Sequence, residues 1–157
     1  MRPARPALVV SACLLGVRCN HEGGASPSDA VLALRGGYRL VPICPETAGG
    51  LPTPRPAAER SVADGRVRTA DGTDVTPAYE RGAAATVRLA AATGAAAAVL
   101  KARSPSCGCH QVYDGSFTRR RVDGEGLTAE ALRAAGVTVW DEEDVEAAGG
   151  LPGAPAP

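Results

Sequence analysis

Five cysteines carry most of the reactive chemistry available to this 157-residue chain. Cys107 and Cys109 stand in the run SPSCGCH (104–110), with His110 directly behind them, and the others are Cys13, Cys19 and Cys44. A thiolate is a nucleophile, a redox centre or a soft metal ligand, and a thiol that is none of these is usually buried. Spacing separates these roles only in part. Structural zinc commonly takes ligand pairs with roughly two to four residues between them, whereas Cys107 and Cys109 have only Gly108 between them. A Cys-Gly-Cys pair also lacks the helix N-terminus that lowers a thiol pKa in C-x-x-C redox motifs.

Which thiols meet depends on the elements that carry them. ALVVSACL (7–14) is an apolar, β-branched run of the kind buried on both faces of a parallel sheet. SPSDAVLALRGG (26–37) reads as a helix, with Ser26 as cap, Pro27 in the first turn and Gly36 at the end. YRLVPICPE (38–46) is a second strand, stopped by Pro45. Residues 47–73 are rich in Gly, Pro, Arg and Asp and lack periodicity, the mark of a functional or mobile segment. VRTADGTDV (67–75) suggests a short hairpin turning at Asp71-Gly72. TPAYERGAAATVRLAAATG (76–94) is the clearest helix, with Thr76 as cap and Gly94 beyond its end. In AAAAVLKARS (95–104) the end AVLKA forms a third strand. A hairpin-like insert follows, then a helix at 128–136 and a fourth strand at 137–144. The tail from 147 to 157 is expected to be disordered from its Gly and Pro content.

This alternation predicts an α/β fold, a Rossmann-like three-layer sandwich with a mostly parallel sheet of about four to five strands. Residues 1–146 make one domain. In such sheets ligands bind beyond the carboxyl ends of the strands. Cys13, Cys44 and Cys107 each fall at or just past such an end, so all three are expected on one edge. Clustered thiolates repel one another unless a cation holds them, which favours a metal or cluster. At this level zinc, an iron–sulfur cluster and unliganded thiols all stay open.

The composition excludes other classes. The chain carries 17 basic and 17 acidic residues and 3% aromatics, which gives no footprint for a nucleic-acid polymer or an anionic membrane. The arginine-led apolar N-terminus is read as a strand, not a signal peptide, and no stretch is long enough to span a bilayer. A cytoplasmic address is expected, where disulfides are rare. No G-x-G-x-x-G follows the first strand, so a dinucleotide fold is disfavoured. Monomer and homodimer are both compatible with the sequence.

SACLLGVRC, CPETAGGLPTPRPAAE, DGTDVT, LKARSPSCG and VYDGSF, in this order, resemble the thiouracil desulfidase family over about residues 8–144. The resemblance implies a 4Fe–4S cluster held by Cys13, Cys44 and Cys107 with one iron open, and Glu46 and Ser104 acting beside it. It implies a small thiolated substrate, a thio-nucleobase like 2-thiouracil, losing hydrosulfide without net redox. The chain reads Asn20-His21-Glu22 after Cys19, where the family tends to Arg-Tyr-Asp, and has Cys109 where a small polar residue is common. Arg55 and Lys101, the chain's single lysine, are candidate pocket residues, as are His21 and Glu22. For Glu46 the competing role is helix capping or pairing with Arg55; for Ser104 it is a turn. Gly49 and Gly50 are expected to permit close backbone approach. The alternative function is a non-catalytic metal- or sulfide-binding module, with zinc on Cys107, Cys109, His110 and a distant cysteine. A Cys107–Cys109 redox pair ranks last.

Overall fold

The computed structural model describes residues 2–153. Along the chain come β1 (Ala7–Ser11), α1 (Asp29–Ala33), β2 (Arg39–Ile43), α2 (Pro45–Ala48), β3 (Ala58–Arg60) and β4 (Val67–Thr69). Next are α3 (Thr76–Thr93), β5 (Ala97–Leu100), β6 (Gln111–Tyr113) and β7 (Arg121–Asp123), followed by α4 (Leu127–Ala134), β8 (Thr138–Asp141) and α5 (Glu142–Ala148). Four strands form one all-parallel sheet in the order β2-β1-β5-β8. The pairs β3-β4 and β6-β7 are separate antiparallel hairpins.

Successive residues of a strand face opposite sides of a sheet, which makes two cores. On one side Val9, Ala98, Leu100 and Val139 pack with Ala90 of α3 and with Ala129 and Leu132 of α4. On the other, Leu8, Val10 and Val99 meet Leu14, Val31 of α1 and Val145 of α5. The expected three layers are present, with four strands in the middle. All five residues of β1 are buried, which explains its unbroken apolar run. β2 lies at the edge, where Pro42 can forgo an amide hydrogen bond.

Several boundaries differ from the sequence expectation, each for a local reason. β1 ends at Ser11, and Ala12–Leu15 turn as a 3-10 helix closed by Gly16 in the left-handed region. The first helix starts at Asp29, capped by Ser28, whose Oγ accepts from the Val31 amide at 3.4 Å. Pro45 does not merely end β2; it opens α2 as its first residue. The segment 47–73 thus contains the end of α2 and the hairpin of β3 and β4. The turn at Asp71-Gly72 is present, with Arg68 bridging Asp74 across it. Thr76 does not cap α3; its Oγ1 instead accepts from the Val67 amide at 2.8 Å and ties the helix to β4. α5 was not expected at all. It begins with a reciprocal cap between Asp141 and Asp144 and closes at Ala148, two residues beyond the expected domain boundary. Leu151 packs against the second core; residues 154–157 of the expected tail lie outside the described residues.

α2 meets α3 backbone to backbone. A Cβ on Gly49 would overlap the Ala78 carbonyl, and one on Gly82 would overlap the Pro45 carbonyl. Two glycines therefore set how closely Cys44 and Glu46 approach the sheet edge. No helix among the described residues is long and apolar enough to cross a membrane.

Candidate functional site

The chain steps from β1 outward to β2, then returns past β1 to β5. The crevice between the carboxyl ends of β1 and β5 is the switch point where ligands bind in sheets of this kind. A cavity of about 690 Å³ occupies it. Cys13 enters from the 3-10 turn after β1, Cys44 from the cap of α2, and Cys107 from the loop after β5. The expected convergence is therefore present. Cys19 lines the same cavity, a fourth thiol whose place the sequence left open.

The thiols act on one another. Burial, then the neighbouring Cys107, Cys19 and Cys44, push Cys13 up to about 12, with Lys101 opposing. Burial, then Cys44, push Cys19 up to about 11. Cys107 is raised to about 11, chiefly by burial, against hydrogen bonds that favour its thiolate. Those bonds come from Ser11 Oγ at 3.3 Å and Ser106 Oγ at 3.5 Å. Thiols that hinder one another's ionisation form a poor set of free thiolates and a good set around a cation. An all-sulfur donor set in one cavity suits an iron–sulfur centre.

Beside the thiols, Glu46 is held at both oxygens. Its Oε1 accepts from Arg55 Nε at 2.8 Å and from Tyr79 OH at 2.9 Å. Its Oε2 accepts from Ser106 Oγ at 2.9 Å and Ser104 Oγ at 3.4 Å. Glu46 pairs with Arg55, the competing role expected of it, and also lines the cavity. The Arg55 side chain is only 4% exposed. Burial works against its charge, but the Glu46 carboxylate more than offsets this and the guanidinium pKa is raised. Burial, then the charge of Glu46, raise the Tyr79 phenol, so Tyr79 stays a neutral donor. Arg55 also ties the region together, donating from Nη2 to the Cys19 carbonyl at 2.9 Å.

Ser104 forms the turn expected as its competing role and also lines the cavity. Its Oγ accepts from the Ser106 and Cys107 amides, each at 3.1 Å, and so shapes the turn that presents Cys107. Lys101 is not a free surface lysine: it lines the cavity and pairs with Glu142 at 2.7 Å. His21 and Glu22 lie at the exposed rim. Gly49 makes the close approach expected of it, whereas Gly50 serves through its left-handed φ of 99°.

Cys109 and His110 do not join Cys107. They gather with Asp141 and Asp144, and neither lines the cavity. This separates the four-ligand zinc site and the Cys107–Cys109 pair suggested by sequence alone. Three residues of the site escaped the sequence reading. Ser11 hides in an apolar strand, Tyr79 lies far along the chain from Glu46, and Ser106 stands between two residues already singled out. For Ser11 and Tyr79 no local spacing could have flagged them; for Ser106, the run SPSC held the signal.

Comparison with known proteins adds three findings. A family model described as 2-thiouracil desulfurase matches residues 8–144. The chain is 38% identical over 146 residues to the uncharacterized protein YbbK of Bacillus subtilis (strain 168), covering 88% of this chain and 97% of that one. It superposes on the solved structure of the [4Fe-4S]-dependent thiouracil desulfidase TudS with a TM-score of 0.84 and 41% identity, over 91% of this chain and 95% of that one.

Proposed function

The chain belongs to the 2-thiouracil desulfurase family, and from that premise we propose that it is a [4Fe–4S]-dependent desulfidase that converts 2-thiouracil and water to uracil and hydrosulfide. The observation that carries the reading is a carboxylate, Glu46, hydrogen-bonded to two serine hydroxyls inside a cavity lined by four thiols. Cys13, Cys44 and Cys107 are the residues that would hold the cluster, each delivered by a different strand end. When bound, the cluster supplies a soft Lewis acid for the thiocarbonyl sulfur.

The protein's own groups divide the remaining work. Glu46 Oε1 is occupied by two donors, the Arg55 guanidinium and the Tyr79 phenol. Oε2 faces hydroxyls that can rotate, and it is the oxygen that takes a proton from the attacking water. The same atom returns that proton to the departing sulfur. Ser104 and Ser106 relay or hold it between the carboxylate and the cavity. Ser11 and Ser106 donate to the Cys107 sulfur, which would favour its thiolate as a ligand of the cluster. Arg55, at once on Glu46 and on the Cys19 carbonyl, fixes the carboxylate relative to the thiols. The net reaction exchanges sulfur for oxygen with no electron gained or lost, so no nicotinamide or flavin is required.

The test is an anaerobic assay of the reconstituted protein with 2-thiouracil, following uracil and sulfide together. Equal amounts of both are expected. Glu46→Gln should keep its iron and lose about 10²–10⁴-fold in turnover. A fully iron-loaded wild-type protein that releases no sulfide would refute the reading and favour a binding module.

A further inference from the structure

Behind the cavity, on the far side of Gly108, a second group of metal-ligating side chains comes together. Cys109, His110, Asp141 and Asp144 each place one ligand atom within 4.8 Å of the others. They come from the loop after β5, the end of β8 and the first turn of α5. His110 Nε2 lies 2.7 Å from Asp144 Oδ2 and 4.0 Å from Asp141 Oδ2. The Cys109 sulfur, in a residue 3% exposed, has no hydrogen-bond partner among the described residues. Asp141, on a side chain 4% exposed, accepts the Asp144 amide at Oδ1 at 2.9 Å and turns Oδ2 toward His110.

A largely buried carboxylate beside a thiol is costly unless something positive faces it. The nearest guanidinium does not serve: Arg133 pairs with Glu125 and donates to the Cys109 carbonyl at 3.2 Å. One thiol, one imidazole and two carboxylates match a tetrahedral zinc set, whose ligand atoms sit about 3.3–3.8 Å apart given metal–ligand bonds of roughly 2.0–2.3 Å. The present separations need only small movements, and His110, half-exposed at the surface, is the member placed to make them. We propose that Cys109, His110, Asp141 and Asp144 form a second metal site, selective for zinc, that is distinct from the thiol cavity and pins the Cys107 loop to α5. Binding displaces the thiol proton of Cys109 and replaces the His110–Asp144 hydrogen bond by shared coordination. Because Cys107 is two residues from Cys109, such a clamp would fix the loop that presents it.

The test uses the anaerobic holoprotein, with iron quantified in parallel so that loss of the cluster and loss of this site are read separately. Zinc is added and unbound metal removed by dialysis; zinc per chain is counted and its surroundings read by X-ray absorption at the zinc edge, to which iron is silent. The expected result is about one zinc per chain with a single sulfur neighbour and otherwise nitrogen and oxygen. His110→Ala and Asp144→Asn should each weaken zinc by at least the roughly ten- to hundredfold seen for lost outer partners, with iron unchanged. Since His110 is half-exposed, its variant is expected to fold. No retained zinc, zinc with two or more sulfur neighbours, or retention indifferent to both substitutions would overturn the proposal.

Discussion

At the scale of single residues, the site gives the two oxygens of one carboxylate unlike company. Glu46 Oε1 is pinned by Arg55 and Tyr79, while Oε2 meets hydroxyls. Tyr79→Phe removes one pin and leaves the guanidinium. A hydrogen bond to a charged group is worth about 1.5–3 kcal/mol, and a part of this should appear as roughly tenfold lower kcat. Iron content should stay at the wild-type level; a variant with unaltered kcat would show that Tyr79 does not position Glu46. Cys13, Cys44 and Cys107 were legible beforehand because strand ends converge in parallel sheets whatever the local spacing. Ser11 and Tyr79 were not, because nothing in an apolar strand or a helix face announces a distant partner. Cys19 was undecided for a related reason: it follows a turn of irregular backbone, and only the folded loop shows that it shares the cavity.

At the scale of elements, the close seam between α2 and α3 decides where Cys44 and Glu46 stand. Gly82→Ala forces a methyl group against the Pro45 carbonyl. Overpacking of this kind costs about 1–3 kcal/mol, and here it should also loosen the cluster, since α2 must shift. A thermal melt together with iron per chain checks this; a variant with wild-type Tm and full iron would contradict it. The β3–β4 hairpin makes a separate prediction about pH. Hydrogen bonds and charge from Arg68, with the Arg66 amide, hold Asp64 at about 2 against an ordinary 3.8. Hydrogen bonding to Arg66 and Thr76 also lowers Asp74. Depressed carboxylates contribute stability that is present above 3.8 and lost as pH falls toward the folded value. Amide exchange in the hairpin should therefore accelerate between pH 3.8 and 2, and less so in high salt, while equal protection across that range would count against the two ion pairs. α5 illustrates what the sequence reading passed over. Asp141 and Asp144 have capping-box spacing, but the acidic run also reads as the end of a strand, because a cap and a strand end look alike until the next helix packs.

At the scale of the whole molecule, the alternation of strands and helices was enough to foresee three layers, whereas the exact ends of elements depended on caps and close approaches visible only when packed. The two cores are built on opposite faces of one sheet, and the reactive edge is where both end. Leu132, fully buried between α4 and the sheet, reports on one of them. Leu132→Ala should cost about 2–5 kcal/mol in unfolding free energy, read by denaturant titration, and a loss below 1 kcal/mol would mean that α4 is not packed as described. The central claim is that three strand ends, far apart in sequence, deliver the three thiolates that hold one cluster. The direct measurement is iron and acid-labile sulfide per chain after anaerobic reconstitution, for the wild type and for single Cys→Ser variants at all five positions. About four of each are expected in the wild type, in Cys19→Ser and in Cys109→Ser, with both lost together in Cys13→Ser, Cys44→Ser and Cys107→Ser. Full iron in any one of those three variants, or its loss in Cys19→Ser, would contradict the assignment.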